Sequence, residues 1–216
     1  MSGRRFQGLR RFIELVTGIR RTQASLLKLR THHRPMQIDP YAVTPVALPV
    51  ESGVCQLYKA TNLADAYAVT LPESTITNPE LLARFIFAQQ SPWISALMRS
   101  RDTLVAGFGL KTSGQLMKAE GLAKANRIGM FKIYSTSTYE IILGEDDKHL
   151  DFRLSLLYQP RPSAVSSPHL ILSTVVHCHN HLGRAYIFII APFHRLIVQS
   201  MLRRASRTGW PKVTST

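Results

Sequence analysis

The stretch V-V-H-C-H-N-H-L-G-R-A-Y-I-F-I-I-A-P-F-H-R, Val175 to Arg195, decides how the rest of the chain is read. Its first five residues alternate as a strand does. Asn180 and Gly183 then break the alternation, and an apolar run at helical spacing follows. Polar side chains crowd the junction, where rigid elements on both sides can hold them in fixed geometry.

Working outward, the pattern upstream is one of strands. His149 to Tyr158 has period two, with Leu150, Phe152, Leu154, Leu156 and Tyr158 on one face and His149, Asp151, Arg153 and Ser155 on the other. Met130 to Thr136 and Tyr139 to Gly144 read as a hairpin, and Leu170 to His179 as the strand before the junction. Nearer the N-terminus a strand is expected over Ala66 to Leu71. Two helices follow it, started by Asn78-Pro79 and Ser91-Pro92, each a capping side chain ahead of a proline at the first helical position. Residues 107–129, with five glycines, read as a mobile connection. The closing helix is expected over about Leu182 to Ser206, kinked or restarted at Pro192. Helices grouped together, a strand meander and a final helix across its face make an α+β fold.

Charge separates the ends from the body. Hydrophobic residues make up 45% and charged residues 19% of the 216, a globular composition, and the formal net charge is +14. Residues 1–35 hold nine of the 27 Lys/Arg against Glu14 alone, while residues 36–193 are close to neutral, with 13 cations against 12 acids. Basicity confined to the ends weakens a nucleic-acid role for the body. Residues 5–30 read as a basic amphipathic helix with Phe6, Leu9, Ile13, Val16 and Ile19 on one side. It suits a peripheral membrane contact or a docking helix, or is an extension without a role ahead of a start at Met36. Residues 36–54 are expected to form a Pro-rich linker, 55–207 the domain and 208–216 a disordered tail. Cys55 and Cys178 are too few for a disulfide framework, and no secretory signal or spanning segment is evident, so a cytoplasmic chain is expected.

Two motifs carry a resemblance. Gly144-Glu145-Asp146-Asp147-Lys148-His149-Leu150-Asp151-Phe152-Arg153, and His179-Asn180 through Leu182-Gly183-Arg184-x-Tyr186 to Pro192-Phe193-His194-Arg195, resemble a bacterial family of domains of unknown function, family 2867. The element order resembles the helix-grip fold of the START and polyketide-cyclase-like superfamily. The resemblance implies a curved antiparallel sheet wrapped around the C-terminal helix with a cavity between them. It also implies a dehydrogenase-like partner, since the family's domain occurs alone or behind an NAD(P)-binding domain. No Gly-rich fingerprint follows a strand here, so no nucleotide cofactor is indicated.

The candidate site residues are Asn180, Arg184, Tyr186, His194 and Phe152 for a ligand, with Asp151, His179 and His194 as candidate acid–base groups. Arg184 in the first turn of a helix opposes the macrodipole, so a partner such as Asp151 or a ligand anion is expected to hold it. The bland alternatives are an Asn180 cap, an Arg184 ion pair, a hydrogen-bonded core His194 and a surface pair between Asp151 and Arg153. His177, His179 and His181 have a spacing zinc can use, but the strand is expected to end before His181 and no metal is assigned. Two readings follow for the domain. One is a module that binds a small, largely apolar ligand, with a polar or anionic group directed at Arg184 and His179. The other is a cyclase- or isomerase-like enzyme using His and Asp in the same cavity. A third reading, through the basic ends, is a membrane- or nucleic-acid-associated accessory protein.

Overall fold

The structure is a computed structural model that describes residues 41–89, 94, 126–160 and 167–213. Seven strands form one antiparallel, curved sheet: β1 (Val43–Val46), β2 (Leu63–Thr70), β3 (Arg127–Ile128), β4 (Phe131–Thr136), β5 (Glu140–Asp146), β6 (Leu150–Gln159) and β7 (His169–Cys178). Their order across the sheet is β1-β2-β7-β6-β5-β4-β3. β3 to β7 are thus a meander of sequential neighbours, and β2 pairs with the last strand. With the sheet, two helices of the described residues make the α+β architecture, α1 (Pro79–Ala88) and α2 (His181–Thr208).

Local chemistry accounts for the helix ends. The Asn78 side chain accepts from the backbone N–H groups of Glu80 (2.9 Å) and Leu81 (3.1 Å), and Pro79 stands where no intrahelical donor is needed. α2 stops at Gly209, whose φ of +92° favours glycine, with its N–H bonded to the Ala205 carbonyl at 3.2 Å. The start expected at Ser91-Pro92 and the connection after it lie almost wholly outside the described residues, as do residues 5–30. Ile94 is helical and buried.

Three boundaries differ from the sequence reading. β2 begins at Leu63 rather than Ala66, which adds Asp65 to the strand. Residues 43–46, expected within an extended linker, pair with β2 as the edge strand, in register from Val43 with Val69 to Val46 with Ala66. Pro45 sits there without conflict, because an edge strand leaves half of its backbone donors unused. α2 runs through Pro192 as one helix.

One face of the sheet carries the main core. Leu71, Leu82, Ile86, Leu143, Leu156, Leu170 and Leu202 are almost inaccessible there, and α1 and the C-terminal half of α2 pack together upon it. The N-terminal half of α2 covers a second, smaller cluster of Leu63, Leu150, Val176, Cys178, Tyr186 and Ile187. The opposite face of β6 carries the polar residues, Ser155 among them. Ser155 is nevertheless fully buried, because the segment before β2 folds back over it: Ser52 Oγ lies 3.1 Å from Ser155 Oγ, and both hydroxyls donate to Glu140. β7 is therefore covered on both sides, and Leu170 to Val176 are all buried, the polar Ser173 and Thr174 included.

Candidate functional site

The β6–β7 register sorts the candidate residues by face. Asp151 stands opposite His177 and Arg153 opposite Val175, on the face away from α2. Leu150 with Cys178, Phe152 with Val176 and Leu154 with Thr174 form the rows under α2.

The junction itself is built from Asn180. Its Oδ1 accepts the Gly183 N–H at 3.0 Å, capping α2, and its Nδ2 lies 3.0 Å from His149 Nδ1. Gly183 is required there by space: a Cβ would stand 2.3 Å from the His149 carbonyl oxygen, where backbone cannot give way. The motif residues Asn180, Gly183 and His149 thus hold β6 against the start of α2. Arg184, one residue on, is exposed and has no ion-pair partner among the described residues. The expected Arg184–Asp151 pair does not form, because the two lie on opposite sides of the sheet and Asp151 faces His179 instead.

Beneath α2, His194 points down to the sheet. Its Nε2 lies 3.1 Å from Thr174 Oγ1 and 3.4 Å from Asp65 Oδ1, and Arg195 Nε approaches Asp65 Oδ2 at 3.5 Å. Both Asp65 oxygens are shielded from solvent, yet neither has a hydrogen bond of proper geometry. Arg195 brings a positive charge near, but neither contact satisfies the carboxylate lone pairs. Tyr186 is buried in the smaller cluster under the N-terminal half of α2, which Phe152, Ile190 and Ala191 border half-buried. Phe152 also receives the Phe131 ring edge-on, at a centroid distance of 5.8 Å. Of the candidates, then, Phe152, Tyr186 and His194 share the space between sheet and helix.

Asp151 and His179 meet on the other face, with His179 Nε2 3.1 Å from Asp151 Oδ2. A carboxylate can only accept, so a hydrogen bond across this contact is donated by Nε2. His177 Nδ1 donates to the Ala60 carbonyl at 2.8 Å and its ring stacks on Tyr58. The Tyr58 hydroxyl is buried without a hydrogen-bond partner, and burial pushes its pKa up, with Arg153 opposing and Asp151 and Asp146 adding. Arg153 does not pair with Asp151, as the surface-pair reading expected. It pairs with Asp146 at 2.7 Å while lying over the Tyr134 ring, because β5 brings that acid alongside. Cys178 faces the α2 side, and burial raises its thiol pKa against the pull of Arg184.

Sequence reading missed three participants. Asp65 and Thr174 occupy strand positions whose facing becomes clear only from the pairing of β2 with β7, and Tyr58 lies in a segment without periodicity. The alternation Leu63-x-Asp65-x-Tyr67-x-Val69 was the available signal for Asp65. Among the described residues, no group of three His, Cys, Asp or Glu side chains is placed to hold a metal ion.

The model of a family described as "Protein of unknown function (DUF2867)" matches residues 57–201. The chain belongs to this family. No curated protein and no solved structure matches the chain. The DUF2867 match spans β2 to the third quarter of α2, and so contains both polar groups and the Asn180 junction.

Proposed function

We propose that this DUF2867 domain binds a small, largely apolar molecule between the sheet and the N-terminal half of α2, with Asp65 and His194 receiving its polar group. The observation that carries this is the buried Asp65 carboxylate, whose two oxygens lack hydrogen bonds on the same sheet face as the cluster that half-buried Phe152, Ile190 and Ala191 border. A buried acceptor left without a donor costs about 1–3 kcal/mol, more when charged, so its presence calls for an explanation. A ligand hydroxyl, amine or amide N–H would supply the missing donor. An anionic group reaching both Arg184 and His179 does not fit, since Arg184 is on the solvent side of α2 and His179 is across the sheet.

Native mass spectrometry of protein purified from its own host tests the proposal. The expected result is a copurifying compound that is lost in Asp65→Asn and Phe152→Ala proteins of unchanged circular dichroism. Recovery of no compound, with no thermal shift against a panel of apolar alcohols and amines, would overturn it.

The acid–base reading has its own support in the contacts of His194 with Asp65 and of His179 with Asp151. A carboxylate that orients an imidazole is what general base catalysis needs. It is distinguished by turnover of the recovered compound that disappears in His194→Gln while binding survives.

A further inference from the structure

α2 holds Arg184, Arg195, Arg203, Arg204 and Arg207 and has no acidic residue from His181 to Thr208. Its buried positions, among them Tyr186, Ile187, Val198, Met201, Leu202 and Ala205, define a sheet-side face. The opposite side presents Phe188, 85% exposed, and Ile189, 38% exposed, in the N-terminal half. Arginines follow in the C-terminal half. Arg184, Arg203 and Arg207 are exposed, Arg203 donates to the neutral Gln199 at 3.0 Å, and the Arg195 side chain is half exposed despite its contact with Asp65.

An exposed phenylalanine beside an isoleucine, on a helix whose Arg184, Arg203 and Arg207 have no acidic partner among the described residues, is the chemistry of an interfacial helix. We propose that this outer face of α2 docks on an anionic lipid surface, with Phe188 and Ile189 entering the interface and the arginines meeting the headgroups. Arg stems can lie along the acyl boundary while their guanidinium groups stay at the headgroup level. The helix lies on the membrane rather than crossing it. By length and composition α2 is apolar enough to span, but its buried side chains seal Leu63, Leu150, Val176 and Cys178, and withdrawing it would expose that cluster. A second copy is a poorer occupant. Symmetric pairing of this face would bring arginine rows together with no acid to neutralise them.

Cosedimentation of the full chain with phosphatidylcholine–phosphatidylserine vesicles, against vesicles of phosphatidylcholine alone, tests the docking surface. The unaltered chain should bind the anionic vesicles more tightly and release as salt rises. Phe188→Ser should weaken that binding roughly tenfold, from the apolar area lost. The pair Arg203→Gln, Arg207→Gln should weaken it by at least as much, at about 1 kcal/mol of attraction per cation. Both sites are at the surface, and unchanged thermal unfolding would confirm that the fold is intact. Phe188→Trp should also shift its emission to the blue on adding anionic vesicles. The proposal is overturned by equal binding to both vesicle types, by no binding, or by anionic binding that Phe188→Ser leaves unaltered. In the last case the basic residues 1–35 would account for the attraction. Loss of dimerisation in Phe188→Ser without any lipid effect would assign the face to a second copy and would equally overturn it.

Discussion

Asn180, His149 and Gly183 meet within hydrogen-bonding or contact distance at the mouth of α2, and each is needed for a different reason. Gly183 is needed for want of a side chain. Gly183→Ala should lose about 1–3 kcal/mol in urea unfolding, the range for forcing atoms into a filled space. A loss below a few tenths would mean that α2 shifts freely against β6. Asp146 gives a pH prediction of definite sign. Its burial alone would raise the carboxyl pKa, but hydrogen bonds from Arg153 and Tyr134 outweigh burial and hold it below the ordinary value. Its contribution is therefore complete above the unfolded value of about 3.9 and disappears as pH falls through the lower folded value. The stability lost in Asp146→Asn should be greater at neutral pH than in strong acid. A difference independent of pH would contradict the pairing.

At the scale of elements, the two caps are alike in chemistry and unlike in consequence. Asn78 serves α1 alone, at an exposed position. Asn180 caps α2 and also supplies the hydrogen bond to His149, whose Nε2 is already buried without a partner. Asn78→Ala should cost about 1 kcal/mol. Asn180→Ala should cost more, because it strands both His149 nitrogens, and calorimetric melting of the two variants would rank them. Equal shifts would argue against the His149 contact. The Asn78-Pro79 start was legible because capping is local, needing only a side chain two or three residues from the donors it satisfies. The strands β4 to β7 were legible to within about two residues for a similar reason, as alternation marks a strand before its neighbours are known. β1 was not legible, because four residues containing a proline carry no periodic signal and become a strand only by pairing with β2.

The whole molecule extends past the family match at both ends. β1 precedes residue 57, and after residue 201 the last turns of α2 lead to Trp210, which is buried against Phe85 with ring centroids 5.8 Å apart. The chain then runs beside the start of α1, with the Ile76 N–H bonded to the Pro211 carbonyl at 3.0 Å and the Val213 N–H to the Ser74 carbonyl at 2.9 Å. A disordered tail was expected from residue 208, yet residues 209–213 pack beside the start of α1 and Trp210 joins the main core. Trp210→Ala should cost about 3–5 kcal/mol by the measure of large core truncations. A melting temperature unchanged in that variant would show that the core is sealed without it.

The sequence by itself determined the α+β class, the strand-to-helix junction, the Asn78 cap and the membership of two motifs in one family, because each rests on residue patterns and their order along the chain. Only the tertiary structure decided which face each polar residue serves. Asp151 and His179 meet on one side of the sheet while His194, Thr174 and Asp65 meet on the other, since side-chain direction in a strand is fixed by parity but becomes inward or outward only once another element covers it.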